Sequence, residues 1–177
     1  RIYPEKAPAA LAAFAAPDRI PFDEAMRGSY SPIAVGHRFG PVWSTHWVRV
    51  EATLPTEWRG REVHLLWDSA SEACVWMGGQ PIQGLTGLDH WSAPRKEFIL
   101  TRDALGGEKL VVFLEVACNG MFGLPEPSLD VVGKLRQAEI AVFDRDAWAL
   151  LWDFTVIADM AERLPPDTPR AGQALAT

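Results

Sequence analysis

Four histidines, His37, His46, His64 and His90, are the residues from which a metal site or a general base would have to be built. Metal pairs recur at i,i+2 on a strand or at i,i+3 and i,i+4 on a helix, and none of these spacings occurs among the four. His64 and Asp68 share a face of a predicted strand but stand roughly 13 Å apart at about 3.3 Å per residue, too far to grip one ion. Ser44, His46 and Asp68 can be assembled on paper into a nucleophilic triad, but no Gly-x-Ser-x-Gly elbow presents the serine. The carboxylates Asp68, Glu72, Glu97 and Glu115 include no two whose spacing marks them for glycosidic acid–base work. Glu115 lies in an apolar run, where an unpaired buried charge is costly, so it must point outward or meet an arginine. Gly78–Gly79 and Gly106–Gly107 fall at turns that open no helix, which excludes a phosphate cradle.

The aromatic residues remain. Trp43, Trp47, Trp67, Trp76 and Trp91 all lie on or beside predicted strands. A tryptophan there either fills the space between two sheets or stands in solvent as a flat platform for the apolar face of a sugar ring. Trp67, Trp76 and Trp91 are the candidate platforms. The Trp43-Ser-Thr-His-Trp47 strand is assigned to packing and assembly.

Strands carry most of the chain. Trp43–Leu54 alternates, with Val48, Val50, Ala52 and Leu54 on one face and Arg49, Glu51 and Thr53 on the other. Glu62–Asp68 puts Val63, Leu65 and Trp67 on one side, and Ala73–Met77 meets a Gly-Gly hairpin signal before Pro81-Ile82-Gln83 returns. Lys96–Leu100, the long Lys109–Cys118 and Ala138–Phe143 complete six or seven strands with no helices spaced between them. The predicted fold is mainly β, an antiparallel jelly-roll-like (galactose-binding-like) β-sandwich over residues 36–143. Residues 1–35, rich in Pro and Ala, read as an N-terminal arm: a short helix over Lys6–Ala16, then extended chain anchored by Ile20, Phe22 and Met26. Asp144–Leu164 reads as a long helix, capped by Asp144 and stopped by Pro165-Pro166. Its apolar set, including Trp148, Leu151, Trp152 and Ile157, is wider than one stripe, so this linker helix is expected to be covered from two directions. Residues 165–177 read as the start of a connection to a missing domain.

The chain has 177 residues, 48% apolar and 23% charged, with eight Trp and eight Phe, which suits one domain with appendages and excludes global disorder. A net charge of −6 without a clustered basic excess excludes a phosphate-reading surface, so no nucleic acid partner is expected. No apolar run reaches the roughly 18 residues of a membrane span. Cys74 and Cys118 are too few for a disulfide framework and are expected to be reduced. The start at Arg1-Ile-Tyr-Pro has neither an initiator Met nor a signal pattern, so the chain is expected to be a cut piece.

Two strings go beyond patterning. Phe39-Gly-Pro-Val-Trp-Ser-Thr-His-Trp-Val-Arg-Val50 and Glu115-Val-Ala-Cys-Asn-Gly-Met-Phe-Gly123 closely resemble segments near the amino terminus of the cytosolic and vacuolar α-mannosidases of glycoside hydrolase family 38. Leu66-Trp-Asp-Ser69, Cys74-Val-Trp76 and Gln80-Pro-Ile-Gln-Gly-Leu-Thr86 are similar to that family in the same order, and Ala138–Phe143 into Trp152-Asp-Phe154 continues the match. Val42 departs from the pattern, which has Ser there.

The resemblance implies an accessory domain preceding a catalytic domain that carries an aspartate nucleophile and a divalent metal, zinc or cobalt. No His-x-Asp occurs here, so no catalytic or metal residue is placed in this chain and no cofactor is expected in it. The implied partners are the chain's own missing catalytic domain, a second copy in a homo-oligomer, and mannose-containing glycans through the parent, in the cytoplasm. Asn119, Met121, Phe122, Trp43, His46 and Trp47 are the candidate domain-interface or pocket-rim residues. The alternative is a carbohydrate-binding module that recognises mannosides through exposed Trp side chains.

Overall fold

The computed structural model describes residues 1–87, 94–119, 133–165 and 167–176, and it divides into two compact units, Glu5–Val142 and a second made of Arg1–Pro4 with Phe143–Thr177. The first unit is an antiparallel β-sandwich. Its four-stranded sheet has the order β1 (Lys6–Pro8), β10 (Gln137–Val142), β5 (Val63–Asp68), β8 (Glu97–Thr101). Its six-stranded sheet runs β3 (Ser31–Ile33), β2 (Ala10–Ala15), β4 (Thr45–Thr53), β9 (Lys109–Ala117), β6 (Glu72–Met77), β7 (Gln80–Thr86). The alternation read from the sequence sets the faces. Val48, Val50, Ala52 and Leu54 point inward with Val112, Leu114 and Val116 of β9, and meet Leu65, Trp67, Phe98 and Ile140 of the other sheet. That layer of interdigitated apolar side chains is the core.

The N-terminal segment corrects an expectation. Lys6–Ala16 is not a helix: β1 pairs with β10 (Lys6 opposite Ala141) and β2 pairs with β4 on one side and β3 on the other. Only Ala9 separates β1 from β2, so the segment crosses from one sheet to the next and belongs to the sandwich rather than lying over it as an arm. Alanine prefers a helix weakly, and that preference yields to ladder hydrogen bonds and to burial of Leu11 and Ala13 against the core. Pro8 and Pro32 are tolerated because β1 and β3 are edge strands. A single helical turn, α1 (Phe22–Ala25), follows, and its Phe22 is an anchor as read.

In the second unit, α2 (Arg145–Arg163) starts where Asp144 Oδ1 accepts the Ala147 N–H at 2.9 Å. The Asp144 N–H is itself donated to the Ile2 carbonyl, and Phe143 packs against Tyr3 and Trp148. No residue of α2 is buried: Trp148, Leu150, Leu151, Trp152, Phe154, Val156 and Met160 stay 40–58% exposed. A second helix, α3 (Pro169–Ala176), lies against α2 and buries Ala171, within the residues read from sequence as the start of a connection. No helix among the described residues is long and apolar enough to cross a membrane.

Two turn glycines separate conformational strain from lack of space. Gly60 and Gly106 both have φ near +77°, but a Cβ on Gly60 meets nothing within 4 Å, whereas on Gly106 it lands 2.7 Å from the Thr56 carbonyl oxygen. Gly60→Ala is therefore expected to cost about 1 kcal/mol, the left-handed penalty alone. Gly106→Ala is expected to cost about 1–3 kcal/mol more, because backbone must also move. Urea unfolding of the two variants measures the difference.

Candidate functional site

The site is built from β4 outward. Just before that strand the chain turns through a cis Gly40–Pro41 bond, and Trp43 adopts φ +69°, a left-handed conformation that costs a residue with a Cβ on the order of 1–2 kcal/mol. Backbone bonds hold it there. The Trp43 N–H is donated to the Cys118 carbonyl at 2.8 Å, the Cys118 N–H to the Ser44 carbonyl at 2.9 Å, and Ser44 Oγ–H to the Pro41 carbonyl at 2.5 Å. His46 closes the loop from below: its Nε2 lies 3.0 Å from Ser44 Oγ and 3.2 Å from both the N–H and the carbonyl oxygen of Gly40, with Phe39 packed on the ring. The result is an indole that is 67% exposed on a backbone tied at several points.

The outer face of the six-stranded sheet divides in two. Toward one end Trp47, Trp76 and Phe113 project outward and Phe22 roofs them, stacked on Trp76 at 5.5 Å and edge-on to Phe113 at 5.6 Å. Tyr30 adds to this layer against Phe14 and Phe113, and burial pushes its hydroxyl up to about 12 although the Arg49 guanidinium works against that. Toward the other end the face is open. There the register aligns Thr45, Ala117 and Glu72 in one row and Trp47, Glu115 and Cys74 in the next. Trp43, Asn119, Glu72, Glu115, Cys74 and Arg19 are among the residues that line a cleft of about 440 Å³ on it. Glu115 points outward, as its place in an apolar strand required, and its Oε2 accepts the Trp76 indole N–H at 3.2 Å. Burial, and next the Glu115 charge, push the Cys74 thiol up.

Several site residues proposed from sequence are placed elsewhere than expected. Trp67 is 1% exposed between the sheets, its indole N–H donated to Ser69 Oγ, so it is core and not a sugar platform. Trp76 is half-buried under Phe22 and is excluded as a platform by that stacking. Trp47 is fully buried in the same aromatic layer and rims nothing, and His46 is buried beneath the loop that it props rather than at a rim. Ser44 does meet His46, but Asp68 is committed to Lys96 at 2.9 Å and to the Ala70 N–H at 2.8 Å in the other sheet, so the paper triad is not assembled. Trp43 and Asn119 come together at the cleft, and Asn119 Oδ1 is buried without a hydrogen-bond donor among the described residues. Met121, Phe122, Trp91 and His90 lie outside the described residues. On α2, Trp148 meets Trp152 edge-on at 6.2 Å, Leu151 is exposed and Ile157 half-buried. Sequence reading missed Arg19, which carries no local signal, and left Glu72 as one of four unpaired carboxylates, since it joins the cleft only through its register with β9. Among the described residues no three His, Cys, Asp or Glu side chains are grouped to hold a metal, and Cys74 and Cys118 are free.

The His46 environment sets a pH dependence. Burial first, and the neighbouring His37 next, hold its imidazole below the ordinary histidine value, against the opposing effect of Gly40. Below about pH 6.5 the unfolded chain takes up a proton that the folded chain refuses, so stability is full above that pH and falls as the pH drops. The expected slope from this group is at most about 1.4 kcal/mol per pH unit. It should shrink in His46→Asn, as read from urea midpoints between pH 7.5 and 5.5.

Comparison with known proteins gives a consistent result. The family described as the alpha-mannosidase jelly roll domain matches residues 7–141. Alpha-mannosidase 2C1 of Homo sapiens is 40% identical over 178 residues, covering 96% of this chain and 17% of the human protein. Alpha-mannosidase G of Dictyostelium discoideum is 33% identical, covering 88% and 15% respectively. Among solved structures, a β-glucuronidase from Ruminococcus gnavus in complex with D-glucuronic acid aligns with a TM-score of 0.54 at 14% identity, over 80% of this chain and 29% of that one, a likeness of fold. The chain thus spans about one sixth of the length of the curated relatives it matches. Two antiparallel sheets in a jelly roll, the Phe39–Val50 string at the head of β4 and a family match across the whole sandwich agree: this chain belongs to the jelly roll domain family of the alpha-mannosidases.

Proposed function

We propose that this jelly roll is the N-terminal accessory domain of an α-mannosidase and that it docks on the remainder of its parent protein through α2. One observation carries the reading: seven large apolar side chains of a single helix stay 40–58% exposed. A surface helix needs one apolar stripe, and a contiguous exposed apolar patch marks a surface that another polypeptide covers. That the relatives are about six times longer than this chain supplies a body for that role. Hydrolysis of α-mannosides, and contact with mannose-containing glycans, would belong to the parent. The divalent metal that the family resemblance implies would belong to the parent's catalytic domain. Contacts between copies in a homo-oligomer are a further use of the same accessory surface, and a cytoplasmic setting suits two free thiols.

Leu151→Lys with Phe154→Lys tests this, since lysine keeps helix propensity while removing apolar surface. In the complete protein the pair is expected to lower the melting temperature by several degrees and α-mannosidase activity by about ten-fold or more. In the 177-residue chain it should leave the stability of the sandwich within about 0.5 kcal/mol. Unchanged melting and activity in the complete protein would sink the docking role.

A further inference from the structure

We propose that the open end of the outer sheet face binds one ring of a neutral hexopyranoside, with Trp43 as the stacking platform and Glu72, Glu115 and Asn119 as partners for its hydroxyls. The inference concerns a different element from α2 and stands apart from the docking role. The cleft, about 440 Å³, lies in the size range of small-ligand sites. Its one large apolar surface is the Trp43 indole, two-thirds exposed. An aromatic face of this kind suits the C–H face of a pyranose, and desolvating both is favourable.

Rigidity argues in the same direction. Trp43 sits in a left-handed backbone conformation held by hydrogen bonds to Cys118 and from Ser44 to Pro41, with His46 beneath the turn. Backbone strain of this sort persists where surrounding structure over-determines it, and a platform already fixed in place costs little ordering when it binds. The polar lining is rich in acceptors. Glu115 spends Oε2 on the Trp76 indole, which fixes the carboxylate and leaves Oε1, and the Glu72 carboxylate on β6 and the Asn119 amide just past the end of β9 line the same cleft. Sugar hydroxyls are donors that match carboxylate oxygens, and such charge-assisted bonds are the stronger kind.

Charge narrows the class. Glu72 and Glu115 against Arg19 leave the lining with one net negative charge, so a uronate or sugar phosphate is repelled while a neutral ring is not. Earlier candidates for a platform fail on burial: Trp67 lies in the core and Trp76 under Phe22. Trp43 is the tryptophan that the structure leaves open on the sandwich, among the described residues.

The test is a titration of the ¹⁵N-labelled 177-residue chain with methyl α-mannoside, α-1,2-mannobiose, methyl α-glucoside and glucuronate, followed on the tryptophan indole N–H signals. The Trp43 signal is assigned by its loss in Trp43→Phe, and dispersion of the other indole signals reports the fold in every sample. The expected result is a saturable shift of the Trp43 signal with at least one neutral sugar, at a Kd on the order of 1–10 mM. Glucuronate should bind at least about five-fold more weakly, and Glu72→Gln with Glu115→Gln should weaken the neutral sugar by a similar factor while dispersion is retained. Three results would overturn the proposal: no saturable shift up to about 50 mM of any neutral sugar in a dispersed spectrum, glucuronate binding as tightly as the neutral sugars, or sugar-induced shifts that survive in Trp43→Ala.

Discussion

Nine consecutive cross-strand pairs between β4 and β9, from Thr45–Ala117 to Thr53–Lys109, decide which way every side chain of the six-stranded sheet points. With a side-chain period of two, a slip of β4 by one residue against β9 would send Val48 and Val50 into solvent and bring Arg49 and Glu51 into the core. The apolar gain from the inner set holds the register, and the register in turn places Trp47, Phe113 and Glu115 on the outer face. The aromatic layer under Phe22 and the open cleft beside it are therefore two results of one alignment. Neither could move without dismantling the core.

The parts of this design that rest on local periodicity are legible in the sequence. β4 and β5 follow from alternation, β9 from its long apolar run, and α2 from its cap and its wide apolar set. The same alternation puts Trp67 with Val63 and Leu65, which is why it is interior; treating it as a platform weighed residue type over parity. What is not legible is what distant pairing decides. The Ala-rich stretch Ala10–Ala15 becomes a strand because β3 and β4 offer it partners on both sides, and nothing within those six residues says so. Trp43 precedes its strand, so no pattern predicts its exposure, which follows from a backbone conformation imposed by Cys118, Pro41 and His46. Arg19 and Glu72 enter the cleft through topology alone. The family strings pointed to the alpha-mannosidase jelly roll, which periodicity could not.

The two units answer different physical demands. The sandwich, Glu5–Val142, closes its own core and, Trp43 apart, packs the large aromatics of its six-stranded sheet against one another. α2 is locally complete: it has an N-cap, an acidic first turn with Asp146 and a basic last turn with Arg163, yet it buries none of its residues. α2 thus combines a complete set of local helix signals with an apolar surface that it leaves exposed. The cleft on the sandwich's outer face instead sets one exposed indole beside two carboxylates.

The pairing of Lys6 with Ala141 has a consequence for the order of events on the ribosome. β1 emerges before every other strand of the sandwich, yet its ladder partner β10 is translated last among the strands, and β2 waits for β4. Synthesis must therefore run the length of the sandwich before the first strand can take its place. During that interval the β1–β3 segment carries unsatisfied edges, where Pro8 and Pro32 act as safeguards against pairing with a neighbouring nascent chain.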